Sequence, residues 1–535
     1  MASRNFHHGQ GIEMKGPYDS SSQESTANPN VVLLTDPNDS SHGGNSSDEV
    51  DMARLGKKQE FKRNFNLLST LGFISIYMAT WEFVLVSLGA GLLNGGFAGL
   101  FWVFLGTVIC YSSLVASLAE MASMSPTSGG QYHWVSEFAP PQYQKICSYA
   151  SGWMSTLGWL ASVSSSVFVL ATLIQTLVDV KDSDFLFPAW QYTLLMLAFL
   201  IITIFFNTWG AKALPMIETI SLFGHLGGFF VTMIAVLALA PKTSAKEVFT
   251  HFENGSGWGN MGASLLITQV SVLYCNLGSD SAVHIAEEVE DASRNVPLAM
   301  WWSFVLNVVM GLAMLLTMLF CIGPLDVALE ADAPYLVLFQ NTGSDALTTF
   351  LLVVLLILIF SGNITALATT SRELWAFSRD KGFPFSKWIS KVIYLTSLLA
   401  GLLCLINFGS NLAFNIIISL TLLALLSTYM ISIGCVLLLR LQGRPLPHAR
   451  WSLGRYGIPI NAFAFAYSGF CIIWCCFPAE LPVTLETANW APAVWFGVIL
   501  LAVVVYFAHG RTRYTPPVVF VEGRREGRVG LQHVD

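Results

Sequence analysis

Two carboxylates lie inside long apolar stretches of this 535-residue chain, each within a short run of small, polar and aromatic residues. A charged side chain at the middle of a bilayer costs about 2.5 to 3.5 kcal/mol on insertion scales, so such residues are usually functional. Carboxylates, aromatic faces and unpaired backbone carbonyls together suit a small amine. The candidate binding residues are Ala79, Thr80, Trp81 and Glu82 in the first run, and Tyr274, Asn276, Gly278, Ser279 and Asp280 in the second.

The same carboxylates could also carry protons. Burial raises the pKa of a carboxyl group toward neutrality, which makes Glu82 and Asp280 candidates for coupling to a proton. His225 is a third candidate because an imidazole changes charge near neutral pH. The alternatives remain open at this point: Gly278 and Ser279 could only allow close helix packing, and His225 could be a hydrogen-bonded interior histidine.

The composition defines the elements that must position these residues. Charged residues make up 11% of the chain, against roughly 25% in soluble proteins, and the mean hydropathy is +0.58. We therefore expect an all-α polytopic membrane protein in contact with lipid. A net charge of −7 without basic stripes argues against nucleic acid as a partner. The sequence shows no metal-ligand cluster, nucleotide loop or nucleophile–base pair, so we expect no cofactor, no metal and no enzymatic activity.

Twelve apolar stretches are long enough to cross a bilayer as helices. Residues 1–65, rich in Ser, Asn and Asp, are expected to form a disordered tail, residues 66–509 the transmembrane domain, and residues 510–535 a second tail. We number the stretches as spans 1 to 12: 67–93, 97–124, 148–178, 190–208, 215–239, 260–284, 297–322, 346–370, 391–408, 412–439, 457–478 and 490–509.

The distribution of Lys and Arg predicts the orientation, because cytoplasmic loops retain positive charge during insertion. With twelve spans, 24 of the 27 basic residues fall in loops on the side of the two termini, and only Lys181, Lys242 and Lys246 fall on the other. Both termini are therefore expected to be cytoplasmic. Asn254 heads a glycosylation sequon in the external loop between spans 5 and 6.

The two runs of candidate binding residues lie in spans 1 and 6. These spans are five apart and run in opposite directions through the membrane. That relation is typical of inverted repeats, whose interrupted helices form a solute site at mid-membrane from half-helix ends and free carbonyls. The pattern predicts a 5+5 inverted repeat followed by two further helices.

Several segments together resemble the fungal amino-acid, GABA and choline permeases of the amino acid-polyamine-organocation superfamily. The resemblance extends over roughly residues 65 to 510. The matching stretches are Thr80-Trp81-Glu82 with 91–96 (GLLNGG), 119–134 (AEMASMSPTSGGQYHW), 278–288 (GSDSAVHIAEE), Val296-Pro297 and 371–382 (SRELWAFSRDKG).

The resemblance implies a leucine-transporter-like fold, substrate contacts around both interruptions, and a gate-forming stretch after span 2 that contains Gly129, Gly130 and Tyr132. It also implies proton-driven uptake of amine-bearing solutes. Many permeases of this kind have a glycine-rich interruption in span 1, whereas this chain has Trp81-Glu82, which is closer to the choline branch. Glu287, Glu288 and Glu290 are expected on a solvated helix face at the end of span 6, with a gate as the alternative.

We therefore expect a permease of the plasma membrane that takes up an amino acid, GABA or choline by alternating access, driven by a proton or by the membrane potential. Two alternatives share this architecture: a nutrient sensor that binds solute with little transport, and an exporter of a fungal metabolite.

Overall fold

The computed structural model describes residues 46–520 except 56, 58, 183–184, 186–187, 332, 385, 387–412 and 486. This part of the chain is all-helical, and its one β-type contact is an isolated bridge between Phe65 and Val289. Ten helices in it are long and apolar enough to cross a membrane, and a shorter apolar helix accompanies them. Predicted span 9 (391–408) lies outside the described residues.

The observed helices follow the predicted spans in order. Spans 1 and 2 occupy Leu67–Met78, Thr80–Ser87 and Gly89–Met124, with Gly96 in a non-helical conformation (φ 63°) between them. The helices of spans 3 to 8 and 10 to 12 are, in order, Gln144–Asp179, Ala189–Thr208, Leu214–Leu239, Met261–Cys275, Ala292–Cys321, Asp345–Arg379, Ala413–Leu441, Gly457–Trp474 and Ala491–Val505.

Four shorter α-helices of the described chain lie between the spans. Gly130–Phe138 follows span 2, Ala245–Thr250 precedes span 6, and Leu325–Glu330 and Pro334–Gln340 connect spans 7 and 8.

The helices divide into a buried interior and a lipid-facing periphery. Span 6 packs along span 2, span 7 packs against spans 1 and 2, and spans 8 and 10 pack along span 3. In span 3, 83% of the most apolar stretch is buried, against 11% in span 12. Large apolar side chains on the outer helices, such as Ile201, Phe223 and Val504, are exposed, as expected for residues that face lipid.

The N-terminal end of the described chain and the end of span 8 differ from expectation. Residues 46–66, which we call the N-terminal segment, are not a disordered tail: Ser46–Arg54 is a helix, and Met52 and Leu55 are buried. The apolar side chains of this segment have a surface to pack on. The polar composition of residues 1–65 as a whole gave no indication of that packing. Span 8 continues nine residues beyond its predicted end to Arg379. The helix can include charged residues once it has left the apolar layer.

Candidate functional site between spans 1 and 6

Span 1 is interrupted at a single residue. Ala79 has a left-handed conformation (φ 42°, ψ 43°) and separates Leu67–Met78 from Thr80–Ser87. A non-glycine residue with positive φ is uncommon and requires support from its surroundings. That support includes Asn307 of span 7, whose side-chain oxygen accepts a hydrogen bond of 3.0 Å from the backbone N–H of Thr80. Span 7 therefore stabilises the second half-helix of span 1.

Span 6 ends its α-helix at Cys275 and continues as irregular backbone. The amide of Asn276 donates back to the carbonyl of Val272 at 2.9 Å, and Gly278 has a φ of 97°. Two short 3₁₀ turns, Ser281–Val283 and Ala286–Glu288, complete the crossing. The interruption predicted in span 6 lies in this stretch. The α-helix ends at Cys275 and not at the predicted residue 284, because Gly278 and its polar neighbours favour a turn over a helix.

The two interruptions meet at Gly278. A methyl group added to Gly278 would lie 1.9 Å from Cε1 of Tyr77, so only glycine allows the Tyr77 ring to lie on this backbone. The Tyr77 hydroxyl is 2.5 Å from the Ser162 hydroxyl of span 3, and Tyr274 donates to Ser165 at 2.6 Å. Span 3 thus fixes an aromatic ring from each interrupted span.

A cavity of about 20 Å³ lies beside this contact, between spans 1, 3, 6 and 8. That volume holds about one water molecule, so a larger solute requires the lining side chains to move apart. Its walls are aromatic, apolar and hydroxylic, without a charged group. The lining residues are Tyr77, Met78, Ala79, Phe83, Ser162, Ser166, Tyr274, Leu277, Ile359, Gly362 and Ala366.

Of the nine candidate binding residues, Ala79 and Tyr274 line this cavity. The other seven, Thr80, Trp81, Glu82, Asn276, Gly278, Ser279 and Asp280, are buried around it without lining it. Within the described residues, four of their oxygen atoms have no hydrogen-bond partner: Thr80 Oγ1, Glu82 Oε2, Asn276 Oδ1 and Ser279 Oγ. Buried polar atoms are normally paired, so these oxygens are available to a ligand or to a rearranged state.

Glu82 points away from the cavity, toward span 5. Its Oε1 lies 2.7 Å from Nδ1 of His225, and both side chains are fully buried. The indole N–H of Trp81 also lies 3.1 Å from the same nitrogen. Because an indole only donates, Nδ1 accepts when it bonds Trp81, and Glu82 then needs a proton of its own to bond there. The three residues thus share one ring nitrogen, and a single proton decides which bond forms.

Asp280 points in another direction, toward the stretch after span 2 and toward span 10. Its two carboxylate oxygens accept from the Gln131 amide at 2.5 Å and from the Tyr429 hydroxyl at 2.7 Å. Gln131 lies in sequence among the three residues proposed for the gate. Gly129 and Gly130 precede and begin the short helix Gly130–Phe138, and Tyr132 donates to Asp380 at 3.0 Å.

Sequence reasoning missed most of the cavity wall. Ser162 and Ser166 come from span 3, and Ile359, Gly362 and Ala366 come from span 8. The serine-rich run of span 3, Ser162 with 164–166, was the available signal, because hydroxyls repeated inside an apolar helix usually have partners. Gly362 and Ala366 lie on one face of span 8, and such small residues are indistinguishable in sequence from ordinary packing residues.

Of the three glutamates expected on a solvated face after span 6, Glu290 alone is exposed. Glu287 is fully buried, and Glu288 is 9% exposed. Arg379 binds both oxygens of Glu287 at 3.0 and 3.1 Å, and Arg372 donates to Glu288 at 2.9 Å. Burial acts to raise the pKa of Glu287, but the charge and hydrogen bonds of Arg379 outweigh it and hold the pKa below its usual value. Spans 6 and 8 are therefore joined by ion pairs here.

The sequon at Asn254 lies in a packed loop. Its side-chain amide, the group that would carry a glycan, donates to the carbonyl of Trp258 at 2.6 Å, and Ser256 is buried. Glycosylation at Asn254 stays a prediction, and it requires the loop to be unpacked when the glycan is added.

Comparison with known proteins agrees with this architecture. The profile of the amino acid permease family matches residues 65–501. An uncharacterised amino-acid permease of Schizosaccharomyces pombe is 30% identical over 500 residues, covering 90% of this chain and 92% of its own. A choline transporter of Saccharomyces cerevisiae is 27% identical, with 85% and 82% covered.

Among solved structures, the fold resembles that of a manganese transporter from Eremococcus coleocola. The TM-score is 0.52 at 13% identity, with 84% of this chain and 96% of that chain covered. The likeness concerns the fold alone, that of leucine-transporter-like transporters. With the profile match over most of its length, the chain belongs to the amino acid permease family and is a multi-pass membrane transporter.

Proposed function

We propose that this chain is a secondary transporter that takes up a small amine-bearing solute between the interruptions of spans 1 and 6. The observation that supports it best is the cavity there, in which Tyr77, Phe83 and Tyr274 present aromatic surface beside serine hydroxyls. An aromatic face attracts an ammonium group by about 0.5 to 2 kcal/mol. The names of the relatives, amino-acid permease and choline transporter, fit such a solute.

We propose amino acids, GABA and choline as the solute class, and the plasma membrane as the location, with both termini in the cytoplasm. The charge distribution of the loops supports this orientation. Transport would proceed by movement of spans 1, 2, 6 and 7 relative to the remaining helices.

A single coupling proton would nearly suffice for a hundredfold uptake. Concentrating a neutral solute a hundredfold costs about 2.7 kcal/mol. One proton that enters down about 100 mV supplies about 2.3 kcal/mol before any pH gradient is added. For a cation such as choline the potential does comparable work directly, so a coupling proton matters most for a neutral or zwitterionic solute.

The test is uptake by permease-deficient yeast that expresses the full chain. Radiolabelled choline, GABA and the standard amino acids are supplied at two external pH values. Saturable uptake of one of them above the empty-vector strain supports the proposal. Binding of a solute without flux would indicate a sensor, and faster efflux from preloaded cells would indicate an exporter. A surface-expressed chain that neither binds nor moves any of these solutes would contradict the proposal.

Two carboxylate-to-amide substitutions test the assignment of Glu82 and Asp280 to the site. We expect Glu82→Gln and Asp280→Asn to abolish uptake while surface expression persists, because each removes a charge from a buried cluster and preserves the side-chain shape. Unchanged saturable uptake in both variants would remove these two residues from the site.

A further inference from the structure

A group of charged residues lies on the side of the molecule that carries the N-terminal segment, and most of its members are paired. Four carboxylates there have an arginine or lysine within 3.3 Å, and Asp291 is bonded to Arg450. The four are Asp48 with Arg63 at 3.3 Å, Glu287 with Arg379 at 3.0 Å, Glu288 with Arg372 at 2.9 Å and Asp380 with Lys57 at 2.7 Å.

Two buried carboxylates of this region have no such partner among the described residues. They are Asp280 in the span 6 interruption and Glu373 of span 8, and both are fully buried. His284, which is also fully buried, interacts with both carboxylates. Its Nδ1 is 3.0 Å from Oε2 of Glu373, and Asp280 lies one turn earlier in the same irregular stretch, close enough to interact with it electrostatically.

The hydrogen bonds of His284 define where a proton can bind. Nδ1 lies between Oε2 of Glu373 and, at 3.1 Å, the carbonyl oxygen of Ser128. A carbonyl oxygen only accepts, so Nδ1 carries a hydrogen in this arrangement. Nε2 has no partner within the described residues and is therefore the nitrogen that gains or loses a proton.

The charge balance favours that proton. With His284 neutral and both carboxylates ionised, the three buried side chains carry two negative charges without a fixed cation. Isolated buried charges are strongly unfavourable, so this group must bind a proton or a cation. One proton on Nε2 leaves the His284 and Glu373 pair neutral, and Asp280 keeps its hydrogen bonds from Gln131 and Tyr429.

The position suits coupling between solute and proton. Asp280 belongs to the interruption that forms the proposed solute site, whereas Glu373 belongs to span 8, outside the group of spans proposed to move. Gly130 of the proposed gate lies against the imidazole, since a methyl group added to it would be 2.8 Å from Cε1. Movement of span 6 away from span 8 would separate His284 from Glu373 and change its affinity for the proton.

We propose that His284, paired with Glu373, is the site at which the coupling proton binds, taken from water on one side of the membrane and returned to water on the other. This inference rests on the proposed function. The titratable and charged groups facing the site are Asp280, Glu287, Glu288, Glu373, Arg372, Arg379, Asp380, Tyr132, Tyr429, Lys57 and Arg63. Of these, Glu287 remains charged at neutral pH, because Arg379 holds its pKa below the usual value.

The test uses the full chain in proteoliposomes, with radiolabelled choline and GABA as probes. Uptake is measured with and without an inward proton gradient of one pH unit, which can drive at most about a tenfold accumulation for one proton. We expect His284→Gln and Glu373→Gln to reduce the stimulation by the gradient to a ratio of about one, while exchange of internal for external solute without a gradient continues. His251→Gln is the matched control, because His251 lies 3.5 Å from Glu253 in an exposed loop.

The outcomes separate this inference from the proposed function. A wild-type chain that moves neither probe nor any standard amino acid contradicts both. A wild-type chain whose uptake responds to the gradient, together with variants that respond equally, overturns the inference alone and favours Glu82 and His225. Loss of exchange in both variants shows a structural role and also overturns it, as does wild-type uptake that ignores the gradient.

A spectroscopic measurement is independent of transport. The Trp159 ring lies 5.0 Å from the His284 ring, edge to face, and a protonated imidazole in contact with an indole quenches its fluorescence. We expect tryptophan fluorescence of the purified chain to fall as the pH is lowered, with one component absent in both His284→Gln and Trp159→Phe. A pH response that is identical in the wild type and both variants would contradict protonation of His284.

Discussion

Tyr77 and Gly278 show how single residues determine the geometry of the site. The ring of Tyr77 occupies the space in which any side chain at position 278 would lie, and the φ of 97° at Gly278 already disfavours other residues. The close approach of the two interrupted spans therefore depends on one glycine.

We expect Gly278→Ala to abolish uptake, because the new methyl group would overlap the Tyr77 ring as well as strain the backbone. Gly343→Ala is the matched control: Gly343 also has a positive φ (76°), but no atom lies within 4 Å of an added methyl group. It should cost about 1 to 2 kcal/mol of strain and preserve uptake. Uptake assays with surface-expression controls test both, and equal behaviour of the two variants would contradict a specific role for the contact.

The aromatic wall leads to a second prediction. Replacement of Tyr274 by Leu should raise the KM for choline, if choline is transported, about 2- to 30-fold, which corresponds to loss of one cation–π contact of 0.5 to 2 kcal/mol. Tyr274→Phe should change the KM less than about twofold from this cause, because the ring remains. A larger effect of the Phe variant than of the Leu variant would show that the hydroxyl bonded to Ser165 matters more than the ring.

Which residues line the site was only partly predictable from the sequence. Ala79 and Tyr274 were predicted because small and aromatic residues interrupt apolar runs there. The directions of Glu82 and Asp280 were not predictable, because a left-handed residue or a turn rotates every following side chain by an amount that sequence does not specify. Glu82 consequently faces His225 and Asp280 faces Gln131.

At the scale of elements, the N-terminal segment contacts both the chain at the end of span 6 and the end of span 8. Arg63 pairs with Asp48 and donates to the carbonyls of Ala286 and Val289. Lys57 pairs with Asp380 at the end of span 8. Through these contacts the segment connects the irregular end of span 6 to span 8, and it must rearrange if the two separate on this side.

We expect Arg63→Ala to lower the thermal unfolding midpoint of the purified chain by several degrees, because breaking a buried ion pair costs about 3 to 5 kcal/mol when one charge remains. Lys62→Ala, at the exposed neighbouring position, should have little effect, since exposed charges contribute at most about 1 kcal/mol. Thermal shift measurements in detergent compare the two. Equal midpoints would show that the N-terminal segment does not stabilise the fold.

Elements were predictable where apolar length decides them and unpredictable where tertiary contacts do. Most spans in the described chain begin and end within a few residues of expectation, because a bilayer requires about 20 apolar residues. The end of span 6 differs because Gly278 and its polar neighbours favour turns. The N-terminal segment differs because its backbone bonds the chain just after span 6, as in the isolated bridge between Phe65 and Val289. Such pairing between distant segments leaves no periodic pattern in either.

For the whole molecule, the orientation in the membrane is the property most open to test. Because a twelve-span topology would put 24 of the 27 basic residues on the side of the termini, we expect a fluorescent protein fused to the carboxyl end to resist external protease in intact cells. A tag inserted at the exposed Gly259, between spans 5 and 6, should be cleaved under the same conditions. The reverse pattern would invert the orientation and the direction assigned to uptake.

Solute is proposed to bind where the interruptions of spans 1 and 6 meet. A density map of the full chain with its transported solute tests this binding site most directly. We predict density for the solute between Tyr77, Phe83 and Tyr274, with the cavity of about 20 Å³ enlarged around it and both spans interrupted. Solute density elsewhere, with these three rings in unbroken contact, would contradict the claim.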